Sequence, residues 1–137
     1  MGMKLFPIDY SVGKRYNGCR VMREEARSFL PLSPATLHIL LSLAGVELHG
    51  YAIMQEVQRQ SEGKYKLGPG TLYDNLQKMI DKRLVEELGQ KAGDDDPRRR
   101  YYRLSPLGRG VLAAEIARLD SVVREGKLRL HAKPRRV

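Results

Sequence analysis

Residues Gly68 to Leu88, GPGTLYDNLQKMIDKRLVEEL, restrict most tightly what this chain can fold into. Pro69 suits the first turn of a helix, where its missing N–H costs nothing, and a Gly before it serves as a weak cap. Leu72, Leu76, Met79 and Ile80 recur at helical intervals and fall on one side. Thr71, Asp74, Asn75, Gln77, Lys78 and Lys82 fall on the other, and an apolar strand starts at Leu84. The polar side mixes donors, acceptors and cations and is short of the Glu/Lys pairs of a merely solvated helix. That is the stock a helix needs to hydrogen-bond base edges in a major groove while its cations meet phosphates. An ordinary amphipathic surface helix has the same periodicity, so the rest of the chain must decide.

The flanking segments fall into an informative order. Ser33-Pro34 is a helix start, a Ser cap followed by Pro in the first turn, and Leu37, Ile39, Leu40, Leu41 and Leu43 make that helix apolar nearly all round. Gly45 to Leu48 is a connector with room for a residue or two of strand. The next helix begins near His49-Gly50-Tyr51 and runs to about Gln60, with Ile53 and Val57 inward and Tyr51 in a structural role. Lys64 and Lys66 precede the Pro69 helix, whose N-terminus carries free N–H groups that suit a phosphate; flexible surface lysines are the alternative. Strand Leu84–Leu88, the loop Gly89 to Pro97 and a strand Arg98–Leu104 read as a hairpin, with Tyr102 and Leu104 facing the core. Three helices followed by a two-stranded hairpin is the order of a winged helix-turn-helix domain, whose third helix enters the major groove. The fold class is therefore mainly α with a small β-hairpin.

Ser105-Pro106 repeats the Ser-cap device and starts a last helix. Its Leu112, Ile116, Leu119 and Val123 recur at intervals of four, three and four, a narrow seam for a partner helix. Packing onto its own domain is the alternative; a partner is preferred because a winged domain is expected to close without this helix. The chain thus divides into an N-terminal extension (1–30), irregular at first with a short helix over Val21–Leu30, a winged domain (31–104), a dimerisation helix (105–130) and a basic tail (131–137). The short helix is expected either on a dimer partner or on its own domain.

Charge supports a polyanionic partner. The net charge is +9, with six Lys/Arg against three Asp/Glu in residues 1–30 and six against one in residues 124–137. The folded middle is nearly neutral, so composition alone does not separate DNA, RNA and a membrane surface. No apolar run approaches the roughly 20 residues that span a bilayer, and no secretory signal is evident; a cytoplasmic protein is expected. Cys19 is the only cysteine, which excludes an internal disulfide and a thiolate zinc site. His38, His49 and His131 lack ligand partners at metal spacing, and His38 reads as a packed core histidine. Gly68-Pro69-Gly70 lacks the Gly-Lys-Ser/Thr ending of a phosphate-gripping P-loop. Asp94 to Asp96 read as a solvated loop tip. Nothing assembles nucleophile, base and oxyanion donors; no catalytic residue, cofactor or metal is expected.

His49-Gly50-Tyr51 with Ile53, then Gly63, Leu67, Pro69-Gly70-Thr71-Leu72-Tyr73 and Leu76, resemble the HGY and PGTLY motifs of PadR-type transcriptional regulators. Ile39-Leu40-Leu41, Leu84-Val85, the Arg98 to Leu104 strand and Gly108 match in the same order, so the resemblance covers roughly residues 32–123. It implies a homodimeric winged-helix DNA-binding protein, usually a repressor, relieved in some members by aromatic or drug-like ligands, with the final helix making the dimer. A single helix after the wing resembles the short branch of that family. Three features depart from the pattern. Gly68 replaces the more usual Ser before Pro-Gly-Thr, Asp94 to Asp96 place negative charge at the wing tip, and the absence of Trp disfavours a Trp-lined drug site.

Thr71, Asn75 and Lys78 are expected at or beside base edges. Tyr73 is expected on a phosphate or partly packed. Lys64, Lys66, Arg98, Arg99 and Arg100 are expected on phosphates, and Leu112, Ile116, Leu119 and Val123 in the dimer seam. The partners are then double-stranded DNA and a second copy of the chain, with no membrane. A winged-helix protein-interaction module without DNA binding is the rival reading.

Overall fold

The computed structural model describes residues 17–89, 93 and 96–134. The expectations for residues 1–16, for Asp94 and Asp95 and for residues 135–137 lie outside the described residues. Helix α1 (Asn17–Ser28) begins four residues earlier than its expected start. It packs along the last helix of the same chain, with Ala26 buried. Helix α2 (Pro34–Ser42) is capped by Ser33, whose Oγ accepts the Thr36 N–H at 3.2 Å. Ile39 and Leu40 are fully buried, as an almost uniformly apolar helix requires. Leu40→Ala would cost on the order of 2–5 kcal/mol.

Strand β1 (Leu48–His49) leads directly into helix α3 (Gly50–Gln60). The α3 cap is His49, whose Nδ1 accepts the Ala52 N–H at 3.2 Å. Helix α4 (Pro69–Asp81) has Gly68 as its cap, with no side-chain bond. It ends in a tight reversal: Arg83 takes a left-handed φ of 64°, and the Leu84 N–H reaches back to the Met79 carbonyl at 2.8 Å.

Strands β2 (Val85–Leu88) and β3 (Tyr101–Leu104) form the hairpin, and β1 adds to the far edge of β3 for the order β1-β3-β2. The hairpin is as expected, and the short strand for which the Gly45–Leu48 connector had room makes a third, all antiparallel, with Leu48 opposite Tyr102 and Val85 opposite Leu104. Two residues are too few to show a period of two; the free edge of β3 makes them a strand. A correction concerns Arg98 to Arg100, which precede β3. The Arg98 N–H donates to the Asp96 carboxylate at 2.9 Å and the Arg99 N–H to the Asp96 carbonyl at 3.2 Å, a local turn in place of a ladder.

Helix α5 (Pro106–His131) has 26 residues, about 39 Å at 1.5 Å per residue. Ser105 caps it, accepting the Gly108 N–H at 2.9 Å while donating to the Arg83 carbonyl at 2.6 Å. A Cβ on Gly108 would stand 2.0 Å from the Leu84 carbonyl oxygen, so only glycine lets this helix start against the backbone just before β2. Val111 and Leu112 join the core formed by Leu40, Ile53, Leu76 and Leu104. The expectation that the winged domain closes without this helix is therefore wrong: its first three turns complete the core.

Glu115, 1% exposed, ties α5 to the α1–α2 connection. Its carboxylate accepts hydrogen bonds from Arg118 and from the Leu32 N–H, the latter at 2.9 Å. The Arg118 guanidinium, helped by that N–H, outweighs desolvation and holds the carboxyl below its ordinary value.

Candidate nucleic-acid interface

Helix α4 buries Leu72, Leu76 and Met79 and exposes Thr71, Tyr73, Asp74, Gln77, Lys78 and Lys82. The buried and polar sides fall where helical spacing puts them. Asn75 sits at the edge, half-buried, and its Nδ2 donates to the Thr71 carbonyl at 2.8 Å. Its amide oxygen is left for an outside donor. Gln77 is occupied by Asp81 at 3.0 Å.

The loop before α4 is pinned by alternate residues. Glu62 and Gly63 both take left-handed φ, at 55° and 76°, and turn the chain back. Ser61 Oγ accepts the Tyr65 N–H at 3.0 Å and donates to the Val57 carbonyl at 2.9 Å. The Tyr65 ring stacks on His38 at 5.0 Å, so the expected core histidine serves as a support for this loop. Leu67 is buried. With Tyr65 and Leu67 held inward, Lys64 and Lys66 project outward beside the α4 N-terminus. Neither has an ion-pair partner among the described residues. The same holds for Lys78.

The wing is different. Arg98 meets Asp96 at 3.5 Å and Arg100 meets Glu87 at 3.0 Å; Arg103 bridges Glu86 at 2.8 Å and Glu47 at 3.7 Å. The Arg98 N–H, more than any charge, holds the Asp96 carboxyl below its ordinary value. Arg98, Arg99 and Arg100 are all exposed, as phosphate contacts need, but the wing's charge is largely balanced within itself. Exposed pairs of this kind are worth little, so a phosphate can compete for them.

The expected seam on α5 is only partly available. Leu112 is 4% exposed within its own protomer, which withdraws it from the partner-facing set. Ile116 and Val123 are about half-exposed, at 44% and 51%, and Leu119 is intermediate. Val122, Leu128 and Leu130 extend the apolar surface along the distal half, which projects past the core. Among the described residues no group of three or more His, Cys, Asp or Glu side chains could hold a metal ion. No described helix is long and apolar enough to cross a membrane.

A three-helix core whose third helix keeps one polar flank exposed, with a three-stranded wing beside it, defines a winged helix-turn-helix protein. The PadR-like family of transcriptional regulators matches residues 39–114, more than half of the chain. The chain is also 39% identical over 90 residues to the transcriptional regulator Rv3488 of Mycobacterium tuberculosis, spanning 65% of this chain and 78% of that one. In fold it is similar to a PadR family transcription regulator from Clostridium difficile R20291, with a TM-score of 0.62 at 22% identity over 72% of this chain and 99% of that one. A PadR-like transcriptional regulator from Bacillus cereus gives a TM-score of 0.61 at 20% identity over 80% and 99%. The chain belongs to the PadR-like family of transcriptional regulators, which is a regulatory and not an enzymatic assignment.

Proposed function

We propose that the protein is a cytoplasmic, homodimeric repressor that reads a palindromic or near-palindromic operator with two copies of α4. The observation that carries this reading is the exposed flank of α4, continuous with two unpaired lysines on a pinned loop. Thr71, Asn75 and Lys78 contact base edges or sit beside them; Lys64, Lys66 and Arg98 to Arg100 meet phosphates. The distal half of α5, through Ile116, Leu119 and Val123, makes the dimer. Control by a small ligand is part of this reading through the family resemblance, and an open pocket of about 210 Å³ lies between the α1–α2 connection and α4. Phe29, Leu32 and Met79 line it together with Asn75 and Lys78, so an occupant would touch the reading residues directly.

The test is selection from random double-stranded DNA at low salt, with sedimentation of the protein alone. Retained sequences should show two related half-sites, and Leu119→Glu should yield a monomer that binds the selected duplex weakly. A chain that retains no DNA at low salt would leave the protein-interaction module as the better reading. A dimer that persists in Leu119→Glu would place the interface elsewhere.

A further inference from the structure

Tyr51 and Tyr73 lie on different helices, and both are exposed, at 61% and 50%. The structural role expected for Tyr51 is thereby withdrawn. Neither hydroxyl has a hydrogen-bond partner among the described residues. Both adjoin one glycine, Tyr51 along the chain and Tyr73 in space. Tyr51 follows Gly50, the first residue of α3, and the Tyr73 phenol oxygen rests on Gly50 so closely that a Cβ there would stand 2.3 Å from it. Gly50 is not among the residues with positive φ, so its backbone does not demand glycine. A side chain at position 50 would push the Tyr73 ring from its place. The preceding residue, His49, meets the edge of Tyr101 from β3 at 5.5 Å, so this spot is where α3, α4 and the wing come together.

A half-exposed phenol with a reserved berth and an unused donor is placed to meet something outside the protein. On a surface offered to a duplex, that acceptor is a backbone phosphate oxygen, which tyrosine hydroxyls commonly contact. We propose that Tyr51 and Tyr73 grip the DNA backbone as a pair of uncharged donors, with Gly50 kept bare to seat the Tyr73 hydroxyl. The inference rests on the DNA-binding reading above and extends it to Tyr51 and Gly50. In this chain the glycine of His49-Gly50-Tyr51 thus lies against the tyrosine of Pro69-Gly70-Thr71-Leu72-Tyr73.

An uncharged donor differs measurably from a lysine, because it adds affinity without releasing a counterion and so adds nothing to the salt slope. The experiment is fluorescence anisotropy of the full chain on a duplex retained by the wild type and on a scrambled duplex, across a salt series. Tyr51→Phe and Tyr73→Phe should each weaken both duplexes by about tenfold, with an unchanged slope and an unchanged melting temperature. Gly50→Ala keeps both hydroxyls and displaces one, and should match Tyr73→Phe. If that variant folds poorly, the two Phe variants decide alone. Wild-type affinity in both Phe variants overturns the proposal, as does a fall in slope or a loss confined to the selected sequence. Absence of any wild-type binding overturns the regulator reading itself, a result distinct from intact binding that the Phe changes leave untouched.

Discussion

The loop and helix around Lys64, Lys66 and Lys78 and the wing around Arg98 to Arg103 look equally basic in sequence, and they are physically unlike. The lysines project from a backbone fixed by Ser61, Tyr65 and Leu67 and have no acidic neighbour bonded to them among the described residues. On the wing Arg98, Arg100 and Arg103 face Asp96, Glu87, Glu86 and Glu47. A cation already paired must leave its partner to reach a phosphate, and the carboxylate left behind repels the same phosphate. The lesson is that a count of basic residues overstates the grip of the wing.

The sharpest way to break this contrast is to remove the free cations. Lys64→Ala with Lys66→Ala should lower the log–log salt slope by about 0.9 per lost contact and weaken all DNA by about 50-fold near 0.1 M salt. A slope that barely moves would refute the assignment. Lys78→Ala should cost about tenfold on a selected operator and less on unrelated DNA, which competition binding would show; equal losses on both would make Lys78 a phosphate contact. On the wing the effect is smaller and reversed in sign. Glu87→Gln frees Arg100 and should tighten binding by roughly two- to fivefold, while Arg100→Ala changes it by less than about threefold.

The least effect on DNA and a clear effect on stability should come from Glu115, whose pair with Arg118, unlike those of the wing, has a buried carboxylate. Its folded carboxyl lies below the ordinary 4.5, so its contribution is complete above that pH and is lost as pH falls through the depressed value. Glu115→Ala should lower stability by about 1–3 kcal/mol at neutral pH by leaving the Leu32 N–H unpaired. Thermal melts should show that difference shrinking below pH 4.5. A constant difference down to acid pH would mean that packing, not the carboxylate, is what the substitution removes.

Local signals were readable without the fold. Ser33-Pro34, Ser105-Pro106 and Gly68-Pro69 each opened a helix where expected, and the apolar periods of α3 and α4 pointed inward as spaced. Leu112 belongs to the core and not to the seam, because a 4-3-4 pattern does not say which stretch of a long helix its own domain covers. Glu115 carried no signal at all: its bonding partner Leu32 is 83 residues away. The strand expected over Arg98 to Arg100 failed because Asp96 ties that stretch into a turn. The exposure of Tyr51 and the Gly50–Tyr73 contact, which spans two helices, had no local signal.

By itself, then, the sequence determined the helix starts, the burial of α2, the buried sides of α3 and α4, the polar flank of α4 and the family. Those depend on caps and periods that act within a few residues, where the chain's own geometry fixes which groups can meet. Tertiary structure decided which cations are free, how far α5 is buried, that β1 joins the sheet and that Tyr73 rests on Gly50. Each of these is a meeting of groups distant along the chain, set by helix rotation and strand register once the core has closed.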